Sequence, residues 1–223
     1  MKQNLRKQVF IKQSKGYVPK IVRLFSAEEI RRVFEEEERS SEHRFDLIAS
    51  PVAIQTISQA TRDFKSRRGL EVTVTKKSEE IPDIHRSTCF KYSTTSDYSS
   101  LKECSARIKN GENITVVLVR EEGLLVGYGI AVTKDDECEI EIIDVDIYSR
   151  REAGLADTIQ LSDQSFQVGV GHVVVNTLIK SCSQSIIVDA TNNNSRYIFK
   201  SLGFTHDNKS NNPCILKMSD NEV

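Results

Sequence analysis

Two glycines separated by one residue stand before an apolar run, a pattern that suits phosphate binding. The segment Val168–His172 reads Val-Gly-Val-Gly-His, and residues 173–179 continue it as a helix-length apolar stretch. Glycine lets the backbone approach a ligand closely. The first turn of a helix offers unpaired N–H groups and a favourable dipole to an anion. The spacing therefore predicts a phosphate site, with His172 as a peripheral contact at the helix start.

A second motif follows further along the chain. Residues 192–204 read Asn-Asn-Asn-Ser-Arg-Tyr-Ile-Phe-Lys-Ser-Leu-Gly-Phe, directly after the apolar strand signal of residues 185–189. A helix is predicted over residues 195–201, and Gly203 is suited to ending it. The order strand, helix and glycine-ended turn places this motif next to the phosphate-binding turn.

The two motifs together resemble the GNAT family of N-acetyltransferases. The first is similar to the family's pyrophosphate-binding turn, Gln/Arg-x-x-Gly-x-Gly/Ala. The second resembles the pattern Asn-x-x-Ala-x-x-Leu-Tyr-x-x-Leu-Gly-Phe, and the resemblance covers roughly residues 88–218. It implies acetyl-CoA (coenzyme A) as the cofactor and direct attack of an amine on its thioester. It implies that the acceptor is an amine of a small molecule or a protein, without identifying it.

The resemblance also implies which residues hold the cofactor. Some lie in the two motifs, and two lie at the end of a preceding strand, where a backbone N–H polarises the thioester carbonyl. The predicted cofactor-binding residues are Val145, Ile147, Gln167, Val168, Gly169, Val170, Gly171, His172, Asn192 and Phe199.

Carboxylates on the strand predicted over residues 137–147 are candidates for the base. An attacking amine must be neutral, so a base has to accept its proton. The resemblance places that base on the strand leading into the glycine turn, which predicts Glu141, Asp144 or Asp146, with Glu141 aligning best. In an unbroken strand Asp144 and Asp146 share a face with Ile140, and a bulge would move them.

Three features depart from the family pattern. Phe166 stands where the family has glutamine or arginine, and Phe199 stands where it has the tyrosine that protonates the leaving thiolate. Phenylalanine cannot donate a proton, so water, Tyr148 or another group would have to protonate the thiolate. The connection over residues 148–166 is long, and a lid, an extra helix and a simple surface insertion all remain open. These departures favour, as an alternative, a catalytically weak or inactive binding or interaction module.

Strand and helix signals alternate regularly along the chain and predict the elements that position these residues. Strands are predicted over residues 114–119, 124–132 and 137–147, joined by turns at Gly123 and at Asp135 and Asp136. Helices are predicted over residues 51–67, 97–108 and 171–181, with a strand over residues 70–75. The predicted fold class is α/β (α+β): a GNAT-like mixed sheet with an antiparallel meander followed by a βαβ crossover, plus an N-terminal helical and mixed extension.

The predicted domains are a basic arm (1–24), an N-terminal α/β extension (25–87) and a GNAT-like domain (88–223). The arm carries seven Lys and Arg residues and no acid. Such an arm can contact phosphates, and with the basic cluster Arg62, Lys65, Arg67 and Arg68 it keeps a nucleic-acid-associated function open. A homodimer is open as well.

Composition sets the remaining limits. The net charge of -1 and a hydrophobic content of 38% are typical of a globular protein. No apolar run has the length of a membrane span, about 18 residues, so no membrane partner is predicted. The five cysteines include no CxxC pair, which indicates no metal site. We interpret them as free thiols in a cytoplasmic protein.

Overall fold

The structure is a computed structural model, and we describe residues 48–82, 99–145, 156–161, 164–191 and 193–218. All of them belong to one compact unit that spans residues 45–223. Within the described residues the helices are α1 (Pro51–Arg67), α2 (Ser99–Lys109), α3 (Val170–Ser181) and α4 (Asn193–Ser201). The strands are β1 (Glu71–Thr75), β2 (Ile114–Glu121), β3 (Leu124–Lys134), β4 (Glu137–Val145), β5 (Ala156–Leu161), β6 (Gln164–Gly169), β7 (Ser185–Asp189), β8 (Thr205–His206) and β9 (Ile215–Met218).

A seven-stranded mixed sheet organises the described residues, in the order β1-β2-β3-β4-β7-β9-β8. Strands β1 to β4 pair antiparallel in sequence order, and β4 then pairs parallel with β7. The parallel step is connected through α3. The predicted fold class, a meander followed by a βαβ crossover in a mixed sheet, is confirmed.

The meander forms because its strands are rich in β-branched residues and its turns accept left-handed backbone. Glu122 and Gly123, between β2 and β3, have φ values of 53° and 78°. Two-residue hairpin turns of this kind match the twist of the flanking strands. Alternate residues of β2 then face opposite sides: Val117 and Val119 join the core against α1 and α3, whereas Val116 joins the core against α2.

Helix α3 lies very close to β3 because two strand residues are glycines. A methyl group built on Gly129 would lie 2.5 Å from Cγ1 of Val174 and 2.9 Å from Cδ1 of Leu178. One built on Gly127 would lie 2.7 Å from Cγ1 of Val170. The glycines therefore set the distance between the sheet and the helix that begins at the predicted phosphate site.

The long connection before the glycine turn contains a β-hairpin. Strands β5 and β6 pair antiparallel from Ala156 with Gly169 to Leu161 with Gln164 and form a separate two-stranded sheet. An extra helix, one of the forms left open, is not what residues 156–169 adopt. A further correction follows: the strand that leads into the glycine turn is β6, whereas Glu141 and Asp144 lie on β4.

Residues 51–75 belong to the same sheet and core as the later elements. The sequence analysis assigned them to a separate extension, but β1 pairs with β2 over five residues. Ala53, Ile57 and Phe64 of α1 are buried in the core that also contains α3. The boundary placed at residue 88 and the basic arm lie outside the described residues.

The prediction of free cysteines is wrong for one pair. Cys138 of β4 and Cys182, directly after α3, form a disulfide with Cα atoms 6.4 Å apart, within the usual range for a disulfide. Cys104 and Cys214 are free, and burial raises the pKa of the Cys104 thiol to about 11. Cys89 lies outside the described residues.

Candidate functional site

The glycine turn lies where strand β6 ends and helix α3 begins. Gly169 is the residue before the helix, with extended backbone (φ -164°, ψ -162°). The amides of Val170, Gly171 and His172 occupy the first helical positions, which have no acceptor within the helix. The predicted helix N-terminus is therefore present, and its backbone donors define a candidate anion site.

His172 is part of the protein interior. Its Nδ1 accepts a hydrogen bond from the Gly169 N–H at 3.3 Å, and its Nε2 lies 3.2 Å from Oγ of Ser201. Because Ser201 donates its hydroxyl proton to the Ile198 carbonyl, the consistent tautomer carries a proton on Nε2. Burial lowers the pKa of His172 to about 4. Both ring nitrogens are thus engaged inside the protein, and the predicted contact of the His172 side chain with the cofactor stays a prediction.

Gly171 is required for packing between helices. A methyl group built on Gly171 would lie 2.9 Å from Cδ1 of Ile198 and 3.7 Å from Cγ2 of Val145. A side chain at this position would therefore enter the contact between α3, α4 and β4. Only the backbone N–H of Gly171 remains as a group for a ligand.

Strands β4 and β7 part beside this helix start. Their parallel pairing runs from Glu137 with Ser185 to Ile140 with Val188. Strand β4 continues to Val145, paired with β3 on its other side. Within the part of the chain that the structure describes, no strand pairs with the β7-facing edge of β4 after Ile140. This open backbone edge ends at Val145. Cγ2 of Val145 lies 3.7 Å from the position that a methyl group on Gly171 would take, so the edge ends beside the start of α3.

A bulge in β4 changes the direction of its side chains. Ala131 pairs with Ile140 and Ile130 pairs with Ile142, so Glu141 is the extra residue. Ile140 packs in the core on the α3 side, whereas Ile142 packs on the α2 side. Asp144, two residues beyond Ile142, follows it to the α2 side. Such a bulge was the condition under which the sequence analysis expected Asp144 to move.

Glu141, the best-aligned candidate base, is held by an arginine. Nη1 of Arg107, on α2, lies 2.6 Å from Oε2 of Glu141, and Nη2 lies 3.1 Å from Oε1. The same guanidinium binds Glu112, and these hydrogen bonds, that to Glu141 foremost, raise the pKa of Arg107. With both oxygens on a guanidinium, the carboxylate already has its hydrogen-bonding positions occupied on that side and does not face a free amine. The geometry therefore disfavours Glu141 as the base.

Asp144 lies opposite Tyr128 in the pairing of β3 with β4. Its side chain is half-buried, and the Tyr128 side chain is buried in the core on the α2 side. Val145 ends β4 and is buried. Of the predicted residues on this strand, Asp144 and Val145 are brought to the open edge, whereas Asp146, Ile147 and Tyr148 lie outside the described residues.

The second motif places its aromatic residues in the protein interior. Phe199 is buried and meets Phe204 edge-on, with ring centroids 5.0 Å apart. The predicted contact of Phe199 with the cofactor stays a prediction. Phe166, at the family's glutamine or arginine position, is also buried and stacks on Tyr197 at 6.1 Å. Asn192 lies outside the described residues.

Several residues of this region were not singled out by the sequence. Arg107 is separated from Glu141 by 34 residues, and nothing local marks the pair. Tyr197 binds the backbone of Gln167, and Ser201 binds His172. Amphipathic spacing in α4 could have indicated that Tyr197 and Ser201, one helical turn apart, share a face. Gln167 and Val168 are where the motif placed them, on β6, with Gln167 exposed and Val168 buried.

The basic cluster at the end of α1 is tied to other parts of the protein. Arg67 forms an ion pair with Asp157 of β5. Arg68 lies 2.5 Å from the buried carboxylate of Glu121, and Arg62 donates to Gln59. These contacts account for three of the four cations without nucleic acid.

Two further site types are not found. Among the described residues, no group of three or more His, Cys, Asp and Glu side chains could hold a metal ion. None of the helices in the described part of the chain has the length and apolarity of a membrane span.

Comparison with solved structures finds acetyltransferases. A variant of the AtaT toxin, bound to the C-terminus of the antitoxin AtaR and acetyl-CoA, is 12% identical, with 68% of this chain and 94% of that chain covered and a TM-score of 0.41. PaiA N-acetyltransferase from Thermoplasma acidophilum, in complex with coenzyme A, is 9% identical (67% and 99% covered, TM-score 0.38). The N-acetyltransferase PseH of Campylobacter jejuni is 15% identical (67% and 97% covered, TM-score 0.39).

The structures found include N-acetyltransferases, the family that the sequence motifs resemble. No protein-family model matches the sequence, and no match to a curated protein was found. At these identities the likeness is one of fold. Any conclusion about activity has to come from the geometry of this chain.

Proposed function

We propose that this protein is an N-acetyltransferase that uses acetyl-CoA and acts on an amine of a small molecule or a protein. One observation carries the proposal. The N-terminus of α3 lies beside the backbone edge that β4 exposes where it parts from β7. A ligand with a phosphate end and an amide-containing chain matches both features at once, and coenzyme A is such a ligand.

The residues of the turn fit the phosphate end. The amides of Val170, Gly171 and His172 have no acceptor within the helix, and the helix dipole favours an anion there. The Gly169 N–H is already bound to His172, so it is not among the amides that are available to a phosphate. Three donors at a helix N-terminus are sufficient for a phosphate contact.

The edge of β4 fits the chain end. After Ile140, the backbone N–H and C=O groups of β4 that point away from β3 no longer pair with β7 and need other hydrogen-bond partners. An extended ligand chain with amide groups can satisfy them in the way that an added strand does. When bound, acetyl-CoA supplies an activated thioester carbonyl. A backbone N–H of β4 near Val145 would lie along the path to that carbonyl and polarise it.

Asp144 is the described carboxylate that we assign as the base. It is half-buried on the α2 side of β4, one residue before Val145. Glu141 is bound to Arg107 on both oxygens, so we do not assign it as the base. Phe199 is buried and has no proton to donate, and protonation of a leaving thiolate therefore falls to water or to a residue outside the described ranges.

Calorimetry with acetyl-CoA tests the cofactor part of the proposal. We expect saturable binding to the full chain at micromolar concentration. Absence of binding at high micromolar concentration would rule out an acetyl-CoA enzyme.

Acetyl transfer is tested with a panel of small amines and peptide amines. Asp144→Asn should leave the Kd for acetyl-CoA unchanged and slow transfer about 100-fold or more, the usual loss for a missing general base. Glu139→Gln, which removes another β4 carboxylate, one that lies 3.3 Å from Nζ of Lys134, is the matched control and should transfer normally. Equal rates for both variants would exclude Asp144 as the base.

A second function has support from the same site. The burial of Phe199 and the ion pair of Glu141 leave two usual catalytic positions without a catalytic role. A module that binds acetyl-CoA without transferring the acetyl group fits these facts. Tight binding without turnover over the amine panel would favour this function over the enzyme.

A further inference from the structure

Tyr197 of α4 binds the backbone of the chain just before the glycine turn. Its hydroxyl accepts a hydrogen bond from the Gln167 N–H at 2.8 Å and donates one to the Gln167 carbonyl oxygen, also at 2.8 Å. Both backbone groups of one residue are thus tied to a single side chain. Gln167 stands two residues before Gly169, so this contact restrains the approach of β6 to the turn.

Two more contacts from the same helix reach the other side of the turn. Ser201 bonds with His172, whose Nδ1 in turn receives the Gly169 N–H. Ile198 lies against Gly171, with its Cδ1 2.9 Å from the position that a methyl group on Gly171 would take. Helix α4 therefore contacts the turn before, at and after its glycines.

Contacts of the Tyr197 ring with two other rings hold its hydroxyl in place. The Tyr197 ring stacks on the buried Phe166 at 6.1 Å with an interplanar angle of 11°, and it meets His172 edge-on at 5.7 Å. Phe166 stands at the position where the family pattern has glutamine or arginine, and phenylalanine offers no polar group to a phosphate. Since Phe166 is buried, phosphate binding at this turn depends on backbone amides, whose direction the neighbouring contacts determine.

We propose that Tyr197 is a positioning residue that orients the glycine turn so that the amides of Val170, Gly171 and His172 converge on the phosphates of coenzyme A. This inference rests on the proposed function. It is independent of whether the acetyl group is transferred, because it concerns binding of the phosphate end alone.

Removing the hydroxyl is a mild change to the fold. Gln167 is exposed, so water replaces the lost partner for its N–H and C=O, and the ring of phenylalanine keeps the contacts with Phe166 and His172. Tyr197→Phe should therefore fold with little loss of stability while the turn gains freedom. Preorganisation, rather than the number of donors, is what the variant loses.

The experiment compares two ligands that differ in the phosphates. Coenzyme A is titrated by calorimetry, and pantetheine, which lacks the phosphates, is titrated by NMR chemical shifts. Tyr197→Phe should raise the Kd for coenzyme A about tenfold, because binding must then order a turn that is no longer preorganised, and leave the Kd for pantetheine unchanged. Thr61→Val removes a hydroxyl that bonds to the Ile57 carbonyl at 2.8 Å within α1, and as the control it should bind both ligands like the wild type.

Three results would refute either the positioning role of Tyr197 or the proposed function. An unchanged Kd for coenzyme A in Tyr197→Phe refutes the positioning role while leaving the proposed function intact. An equal weakening of coenzyme A and pantetheine also refutes it, because a general structural defect has no preference for phosphates. If the wild type binds neither ligand, the proposed function itself fails.

Discussion

Protonation of His172 should open the glycine turn as the pH falls. The imidazole is 3% exposed, and burial lowers its pKa to about 4 from the ordinary value of 6.5. A neutral ring accepts the Gly169 N–H through Nδ1. The imidazolium has no lone pair there, so the charged form loses this hydrogen bond and places a cation in the core.

The sign and size of the effect follow from linkage. A group whose pKa is depressed in the folded state stabilises the fold fully above its unfolded pKa, and that stability is lost as the pH falls toward the folded pKa. With the two values above, the free energy of unfolding should drop by about 2 kcal/mol between about pH 7.5 and about pH 5 on account of His172 alone. The loss levels off below about pH 4, where both states are protonated.

Urea unfolding at several pH values, compared between the wild type and His172→Gln, measures this contribution. Glutamine at the third helical position can still accept the N–H of the residue before the helix, but it does not titrate. The pH dependence should therefore be shallower in the variant by about 2 kcal/mol over this range, whatever its stability at neutral pH. His206→Gln, at an exposed histidine of β8, should follow the wild type. If the wild type and His172→Gln lose stability in parallel, or if NMR shows His172 titrating near its ordinary value, the reasoning is wrong.

Three further outcomes are expected. Gly129→Ala should lower the free energy of unfolding by about 1–3 kcal/mol through overpacking against α3. Gly171→Ala should lower it by less, because only the flexible end of the Ile198 side chain lies in the way. Urea unfolding measures both variants, and a larger loss for Gly171→Ala would contradict the packing. Glu141→Gln should transfer acetyl groups at close to the wild-type rate, since Arg107 already holds both carboxylate oxygens; a loss above about 100-fold in initial rate would restore Glu141 as the base. Reducing the Cys138–Cys182 disulfide should lower the free energy of unfolding by about 4 kcal/mol, given the 44 residues that separate the two cysteines. Calorimetric melting with and without dithiothreitol tests this. The Tm of Cys182→Ser, which cannot form the disulfide, should not change with dithiothreitol.

Local sequence signals predicted most of the fold correctly. The β-branched run of β2, the turn at Glu122 and Gly123, and Ser50 before Pro51 at the start of α1 each determine structure through neighbouring residues. In α1, the Ser50 hydroxyl accepts the Ala53 N–H at 3.3 Å, as a helix cap does. Where the determinant lies within a few residues, the pattern was sufficient.

The β5–β6 hairpin was missed although its signal is present. Ile159 and Leu161 alternate with polar residues, and so do Phe166 and Val168, with two residues between the strands. Such alternation is typical of half-buried strands. The connection was recognised as long for the family and interpreted as a lid, an extra helix or a surface insertion, whereas the period of two in the residues themselves indicates the hairpin.

Contacts between distant residues account for what the sequence could not predict at the site. The pairing of Arg107 with Glu141, of Tyr197 with Gln167 and of Cys138 with Cys182 each depends on how the sheet and helices are assembled. No local pattern encodes them. How Glu141 and His172 are held therefore became clear only from the structure.

These long-range contacts lead to one conclusion about the glycine turn. Its N–H groups fall into two classes: those of Gln167 and Gly169 are bound by Tyr197 and His172, and those at the start of α3 have no acceptor within the helix. The first class holds the turn in place, which lowers the entropy that a ligand must remove on binding. The second class is left to bind the ligand. A turn divided in this way can hold a phosphate without the polar side chain that Phe166 replaces, and it does so only while His172 is neutral.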